Sequence, residues 1–151
     1  MLKKLVPAAL WVSVAAAATV STTTQAADVK AQIKHREATM EAIAGHFTAI
    51  MSTMKDPGEF AQDYQFHAES IARLSRIAAK TFPEGSGEGK THAKQEIWDN
   101  PEKFKEAMET FQTRADAFAD ASKGDDPKAF AMAAKNLGGS CKGCHDDFKD
   151  D

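Results

Sequence analysis

The chain has 151 residues, of which 42% are hydrophobic, and its formal charge at pH 7 is −3. This length is enough to bury one core. The acidic balance disfavours nucleic acids and anionic membrane surfaces as partners.

The first 26 residues have the pattern of a cleavable export signal. A short positive region (Lys3 and Lys4) precedes an apolar stretch over residues 5–20. Small residues at Thr24 and Ala26 predict signal-peptidase cleavage after Ala26. A membrane anchor is the weaker alternative, because the apolar run of about 16 residues is shorter than the roughly 20 that a spanning helix needs.

The remainder, residues 27–151, is predicted to be a single periplasmic domain with no membrane attachment after cleavage. The chain carries 19 basic and 22 acidic residues, and loss of Lys3 and Lys4 lowers the basic count to 17, a formal charge of −5. This charge is compatible with a basic protein partner but does not identify one.

Four helices are predicted, and three of their starts are marked by proline. The pairs Asp56-Pro57, Asn100-Pro101 and Asp126-Pro127 each place a good N-cap residue before a proline at the first helical position. Glu59, three residues after Asp56, resembles a capping box. The predicted helices cover about residues 28–54, 57–80, 101–123 and 127–149.

Each predicted helix carries an apolar stripe of the kind found in bundles. The stripes are Ile33, Met40, Ile43, Phe47, Ile50 and Met54; Phe60, Tyr64, His67, Ile71, Leu74 and Ile77; Phe104, Met108, Phe111, Ala115 and Phe118; and Phe130, Ala134 and Leu137. Two links are short, which favours antiparallel neighbours. The long connection, residues 82–100, has a flexible glycine-rich first half, and its Ile97-Trp98 pair is expected to pack on the bundle. We therefore predict an all-α, antiparallel, up-and-down four-helix bundle.

The segment Cys141-Lys142-Gly143-Cys144-His145 is the attachment signature of a c-type haem. The two thiols would form thioethers with the haem vinyl groups, and His145 would be the proximal axial ligand of the iron. A disulfide is the weaker alternative, because so short a loop constrains little of the unfolded chain. A thioredoxin-like site would need a βαβ context, and the sequence shows no clear strand pattern. The haem would lie near the C-terminal end of the fourth helix.

The residues after His145 include no methionine or histidine, so the sixth iron position is either filled from far upstream or open to a gas. If every connection reverses direction, the first half of the first helix faces His145. Met40 is on the core stripe at that level, whereas Met54 lies 14 residues further on, about 21 Å along the helix. Met40 is therefore expected to contact the haem, either bonded to the iron or packed over it.

Other candidates near the haem follow from residue type. Arg36, one turn before Met40, is the first choice for a haem propionate, because its guanidinium offers a planar two-donor fork. His35 and His46 are expected to face solvent. His67 is expected to be a partly buried bundle residue, and His92 lies in the flexible connection.

Three features of the chain occur together: the terminal motif, Arg36 four residues before Met40, and the connection that leads from Phe82 to Glu96-Ile97-Trp98. On these features the chain resembles the class II c-type cytochromes, the cytochrome c′ and cytochrome c-556 group. The resemblance implies a periplasmic protein with one haem c. It also implies haem contacts at Arg36, Glu37 and Met40, and at Ser86 on the haem edge. The c′ branch is typically dimeric and five-coordinate, and the c-556 branch uses a methionine as sixth ligand. Two departures from the family pattern are Phe148, where tyrosine is usual, and Lys149, where arginine is usual.

The leading functional hypothesis is a one-electron carrier that works with an unidentified redox partner protein and is not an enzyme. The alternative is a five-coordinate protein that binds NO or CO, with a homodimer as the family's usual assembly. A conventional enzyme is poorly supported, because no general acid–base pair is tied to the haem motif.

Overall fold

The computed structural model describes the backbone of residues 21–150 and the side chains of residues 28–150. The predicted export signal, residues 1–26, lies outside the residues whose side chains are described. The helices are α1 (Ser21–Thr53), α2 (Tyr64–Ala78), α3 (Glu96–Asp99), α4 (Pro101–Ala121) and α5 (Pro127–Phe148), with a 3-10 helix at Gly58–Asp63. Within residues 21–150 no helix is long and apolar enough to cross a membrane.

The four long helices form the predicted bundle, and the all-α fold class is confirmed. α1 packs on α2, α2 on α4, and α4 on α5. The start of α5 is as predicted, because the Asp126 carboxylate accepts hydrogen bonds from the backbone N–H groups of Lys128 (2.9 Å) and Ala129 (3.2 Å). α1 begins at Ser21 rather than near Asp28, since no proline or glycine interrupts the intervening residues.

The prediction of an α-helix was wrong for the first turns of the second helix. This helix was expected to begin at Pro57, yet regular α-helix begins only at Tyr64. Gly58 has a φ of +47°, a left-handed conformation that diverts the chain from an α-helical path directly after the proline. As one result, Phe60 is 53% exposed instead of lying in the core.

The buried face of α2 is also rotated by about one residue from the predicted stripe. Small residues dominate the buried positions and let α2 pack closely against its neighbours. These positions are Ala68, Ile71, Ala72, Ser75 and Ala78. Ile77, predicted to be buried, is 44% exposed.

An aromatic cluster fills the bundle interior from Phe47, at the haem cavity, towards the end that lies away from the haem motif. Phe118 is fully buried and stacks on Phe130, with ring centroids 4.8 Å apart. Phe47 meets Phe118 edge to face at 6.1 Å, and Tyr64 stacks on the other side of Phe130 at 5.6 Å. Such pairs add to the stabilisation from apolar burial, and they join α1, α2, α4 and α5 at this end.

The long connection is fixed to the C-terminal end of α5, although its glycines had suggested flexibility. The backbone N–H of Lys94 donates to the Phe148 carbonyl at 3.0 Å, and the N–H of Asp150 donates to the His92 carbonyl at 2.8 Å. The expected packing of Ile97 and Trp98 is confirmed. Ile97 is 4% exposed, and the half-buried Trp98 donates from Nε1 to the Pro83 carbonyl at 3.0 Å.

Replacing Gly87 with alanine is expected to destabilise the connection. A Cβ at this position would lie 2.6 Å from Cζ3 of Trp98, so the indole would have to move. Overpacking of this kind raises the free energy of the native state by about 1–3 kcal/mol. Urea unfolding measures the change. Gly45→Ala is the matched control, because a Cβ added to this glycine of α1 would have no atom within 4 Å, and this change should stabilise the helix by about 1 kcal/mol. Equal effects of the two substitutions would contradict the predicted clash.

Candidate functional site

A cavity of about 520 Å³ lies between α1 and α5, and α4 and the long connection complete its wall. The two helices approach each other at Phe47 and Gly138, where an added Cβ on the glycine would lie 3.6 Å from the phenylalanine ring. Most of the remaining wall is apolar. Its apolar residues beyond α1 include Ile71, Phe82, Ala93, Ile97, Phe104, Met108, Phe111, Leu137 and Phe148.

The α5 wall carries the attachment motif. Cys141, Cys144 and His145 all line the cavity, since offsets of three and four residues place side chains on one side of a helix. Both thiols are free and half-buried. Burial raises the pKa of the Cys144 thiol to about 11, with further contributions from the charges of Cys141 and Asp147. Burial also raises the pKa of Cys141, so both groups are protonated thiols at neutral pH.

His145 lies at the solvent-exposed mouth of the cavity. Its pKa is lowered, mainly by partial desolvation of the ring and then by the positive charge of Lys149. The imidazole is therefore neutral at pH 7 and has a nitrogen lone pair to offer to a metal ion. Lys149 also lines the cavity, and its Nζ donates to the Asp150 carbonyl at 3.0 Å.

The α1 wall contains Met40, which is half-buried and lines the same cavity as His145. Glu37 and Glu41 lie on either side of it in sequence and line the cavity too. Met54, by contrast, is not among the lining residues. The antiparallel arrangement of α1 and α5 thus brings one thioether and one imidazole from opposite walls to a common space.

Arg36 is a buried cation at the edge of this cavity and is only 3% exposed. Its guanidinium donates to the Thr81 carbonyl (3.3 Å), to Oγ (3.1 Å) and the carbonyl (3.1 Å) of Ser86, and to Oγ1 of Thr91 (2.7 Å). The guanidinium also lies 5.0 Å from the centre of the Phe82 ring.

The charge of Arg36 is poorly balanced. Desolvation lowers the pKa of its guanidinium, and the nearby Glu37 carboxylate offsets part of that effect; an arginine nonetheless stays protonated in proteins. Among residues 28–150 no carboxylate lies within ion-pair distance of this guanidinium. Because a buried charge is costly without a counter-charge, this edge of the cavity favours an anionic group.

Ser86 is 1% exposed and is not among the cavity-lining residues. It lies behind Arg36 and holds the guanidinium through both its hydroxyl and its carbonyl. Its geometry is that of a positioning residue.

Ser86→Ala should destabilise the fold by about 1–3 kcal/mol, because it leaves a buried donor of Arg36 without its partner. Chemical unfolding measures the loss. Ser70→Ala is the control, since that exposed hydroxyl bonds only to the Phe66 carbonyl of its own helix. If Ser86→Ala and Ser70→Ala have equal effects, the Ser86 hydroxyl does not hold Arg36.

The sequence did not place several of the lining residues at the cavity. Thr91 and His92 reach the cavity because backbone pairing fixes the connection to the end of α5. Met108, 5% exposed, supplies a second thioether from α4. The position of Met108 on the predicted apolar stripe could have placed it at the cavity. Nothing local in the sequence, by contrast, reveals that the connection pairs with α5.

The remaining histidines lie outside the cavity. His35 is exposed and His67 half-buried, as predicted. His46 was expected to face solvent, but it is half-buried because its Nδ1 lies 2.8 Å from Nδ1 of His67 across the α1–α2 contact.

Comparisons with known proteins agree on one family. The family model described as cytochrome C′ matches residues 31–149. A cytochrome c′ of Rhodospirillum rubrum is 36% identical over 93% of this chain and 96% of its own length. The structure of cytochrome c prime from Shewanella frigidimarina has a TM-score of 0.77 and 35% identity, covering 82% of this chain and 97% of that one. A ferrous variant of cytochrome c prime from Alcaligenes xylosoxidans with bound NO has a TM-score of 0.75 and 25% identity, covering 82% and 96%.

Proposed function

Because the chain belongs to the cytochrome c′ family and binds a covalent haem c, we propose that it is a periplasmic one-electron carrier whose iron alternates between Fe(III) and Fe(II). The observation that carries this proposal is that His145 and Met40 line opposite walls of one apolar cavity. A thioether opposite an imidazole is the ligand pair that favours Fe(II) and raises the reduction potential of a haem.

The residues fit the cofactor. Two free cysteines and a neutral imidazole stand along one side of α5, where they would form the thioethers and the proximal iron bond. The apolar wall suits the porphyrin ring, and the positive charge of the buried Arg36, which has no carboxylate partner among residues 28–150, would attract a propionate to this edge of the cavity. Ser86 and Thr91 hold the guanidinium in this position. The haem supplies the redox chemistry, and the protein supplies its orientation and electrostatics.

Electron transfer needs an exposed edge and little rearrangement. His145 lies at the open mouth of the cavity, so this end of the site is accessible to a partner protein. The rest of the site is held by packed helices and by the backbone bonds between the connection and α5. The formal charge of residues 27–151 is −5 after the predicted cleavage, which favours a redox partner with a basic docking surface.

The second candidate function is capture of NO at an open sixth position. It is favoured by the relative solved with bound NO and by the half-burial of Met40, which leaves the thioether room to move. The hydrogen-bond donors of Arg36 are directed to the connection rather than into the cavity. Such a site suits NO or CO, which need no donor, better than O₂. In this case the family's dimeric assembly is also expected.

A redox titration followed by optical spectroscopy tests the carrier proposal. The protein should take up one electron reversibly and remain six-coordinate in both oxidation states. It should also exchange electrons with substitution-inert metal complexes, faster with a cationic than with an anionic one at low salt. A five-coordinate ferrous form that exchanges electrons slowly with both complexes would contradict the proposal and support the gas-binding function.

A further inference from the structure

His46 on α1 and His67 on α2 form a close pair outside the haem cavity. Their Nδ1 atoms are 2.8 Å apart, and their ring centroids are 5.1 Å apart with a 57° angle between the ring planes. Both side chains are half-buried. The exposed ring of Phe66 packs edge-on against both, at 5.7 Å from His46 and 5.5 Å from His67.

The pair can present two lone pairs to one point. In the hydrogen-bonded form, one Nδ1 carries a proton and the other accepts it. If the donor ring adopts its other tautomer, that proton moves to Nε2 and both Nδ1 lone pairs face the space between the rings, where small ring rotations direct them to one ion. Desolvation, and then the charge of His67, lowers the pKa of His46, so the neutral form needed for metal binding is available at pH 7.

The separation of the two nitrogens is compatible with chelation of a first-row transition-metal ion, and the affinity order of imidazole ligands favours one of these ions. With metal–nitrogen bonds of about 2.0 Å, a right angle at the metal places two nitrogens about 2.8 Å apart, whereas a tetrahedral angle places them about 3.3 Å apart. The observed 2.8 Å is the length of the hydrogen bond between the two rings, and both spacings lie within about 0.5 Å of it. Right-angled nitrogen coordination is typical of Cu²⁺ and Ni²⁺, and imidazole sites bind Cu²⁺ most tightly among the divalent first-row ions.

We propose that His46 and His67 form a bidentate binding site for a divalent transition-metal ion, with Cu²⁺ preferred. The two ligands are held by helices that already pack on each other, so little ordering is needed on binding. Within residues 28–150 no group of three or more histidine, cysteine or acidic side chains is arranged for a metal, so water completes the coordination. His67 also lines a small cavity of about 90 Å³, with Asp63 in its wall, which gives room for such water.

Titration of the ferric haem protein with CuCl₂ tests this site by calorimetry and by electron paramagnetic resonance. No thiol competes, because both cysteines are used in the haem linkage. We expect one dominant Cu²⁺ whose spectrum shows coupling to two imidazole nitrogens. His46→Gln and His67→Gln should each weaken binding at least about tenfold, the loss expected when a chelate becomes a single-ligand site.

His35→Gln is the matched control, since it removes an exposed histidine from the same helix, and its Cu²⁺ affinity should equal that of the wild type. Circular dichroism and the haem spectrum establish that each variant is folded. If a variant of His46 or His67 fails to fold, pulsed electron paramagnetic resonance of the wild type is sufficient as the test. Coupling of the Cu²⁺ to two imidazole nitrogens supports the site, and coupling to one or none overturns it. Equal weakening by His35→Gln would also overturn it. None of these outcomes depends on the ligand state of the haem iron, so the carrier proposal stands or falls separately.

Discussion

Replacing both Cys141 and Cys144 with alanine is expected to remove the protein's cooperative fold together with its covalent haem. The cavity between α1 and α5 measures about 520 Å³. At ~24 cal/mol per Å³, a void of that size would raise the free energy of the folded state by up to about 12 kcal/mol. The cavity opens to water, which reduces the penalty, yet this upper limit is comparable to the 5–15 kcal/mol that stabilises a typical domain.

Thermal unfolding followed by far- and near-ultraviolet circular dichroism measures this effect. We expect helical signal with lost aromatic signal and no sharp transition, because the helices keep their amphipathic faces while the wall of the cavity collapses or fills with water. Cys144→Ala alone should retain one thioether and give an intermediate stability. A double variant that melts as sharply as the wild type, at the same temperature, would show that the haem does not organise the bundle.

Met40→Ala is expected to change the iron from low-spin and six-coordinate to high-spin and five-coordinate. The reduction potential should fall by an amount on the order of 100 mV, because the thioether ligand that favours Fe(II) is gone. Uptake of NO should become faster. If the Met40 bond is formed in about 99% of molecules, its loss raises the apparent affinity for NO about a hundredfold. Optical spectroscopy, redox titration and stopped-flow mixing with NO measure the three changes.

Met51→Ala is the matched control for this substitution. Met51 is on the same helix but is 44% exposed and is not among the residues that line the cavity. The iron spin state, the reduction potential and the NO kinetics of the Met51→Ala protein should therefore equal those of the wild type. A wild type that is already high-spin, and that Met40→Ala leaves unchanged, would show that Met40 packs near the iron without bonding it.

The bundle could be predicted because its signals are local. Apolar residues at helical spacing on α4 and α5 are buried as expected, and the Asp126 cap forms because it needs only the first turn of α5. The start of α2 could not be predicted in this way. Proline at position 57 favours a helix, but Gly58 adopts a left-handed conformation that the sequence permits without requiring.

The haem motif could also be predicted from local spacing. The position of Met40 opposite His145 could be predicted by counting how often the chain reverses direction between helices. The surroundings of Arg36 could not be predicted, because its partners Ser86 and Thr91 are 50 and 55 residues away along the chain. Their positions depend on how the connection pairs with the end of α5, which is a tertiary contact. The His46–His67 contact could not be predicted for the same reason, since the pattern of each helix alone does not show which residues meet across the α1–α2 contact.

The most direct test of the carrier proposal is the optical spectrum of the purified ferrous protein, recorded before and after addition of NO. If Met40 bonds the iron, the ferrous spectrum is that of a sharp, six-coordinate, low-spin haem and changes only slowly with NO. A broad, high-spin ferrous spectrum that NO converts at once would contradict Met40 ligation and the carrier proposal, and would assign the open site to gas binding.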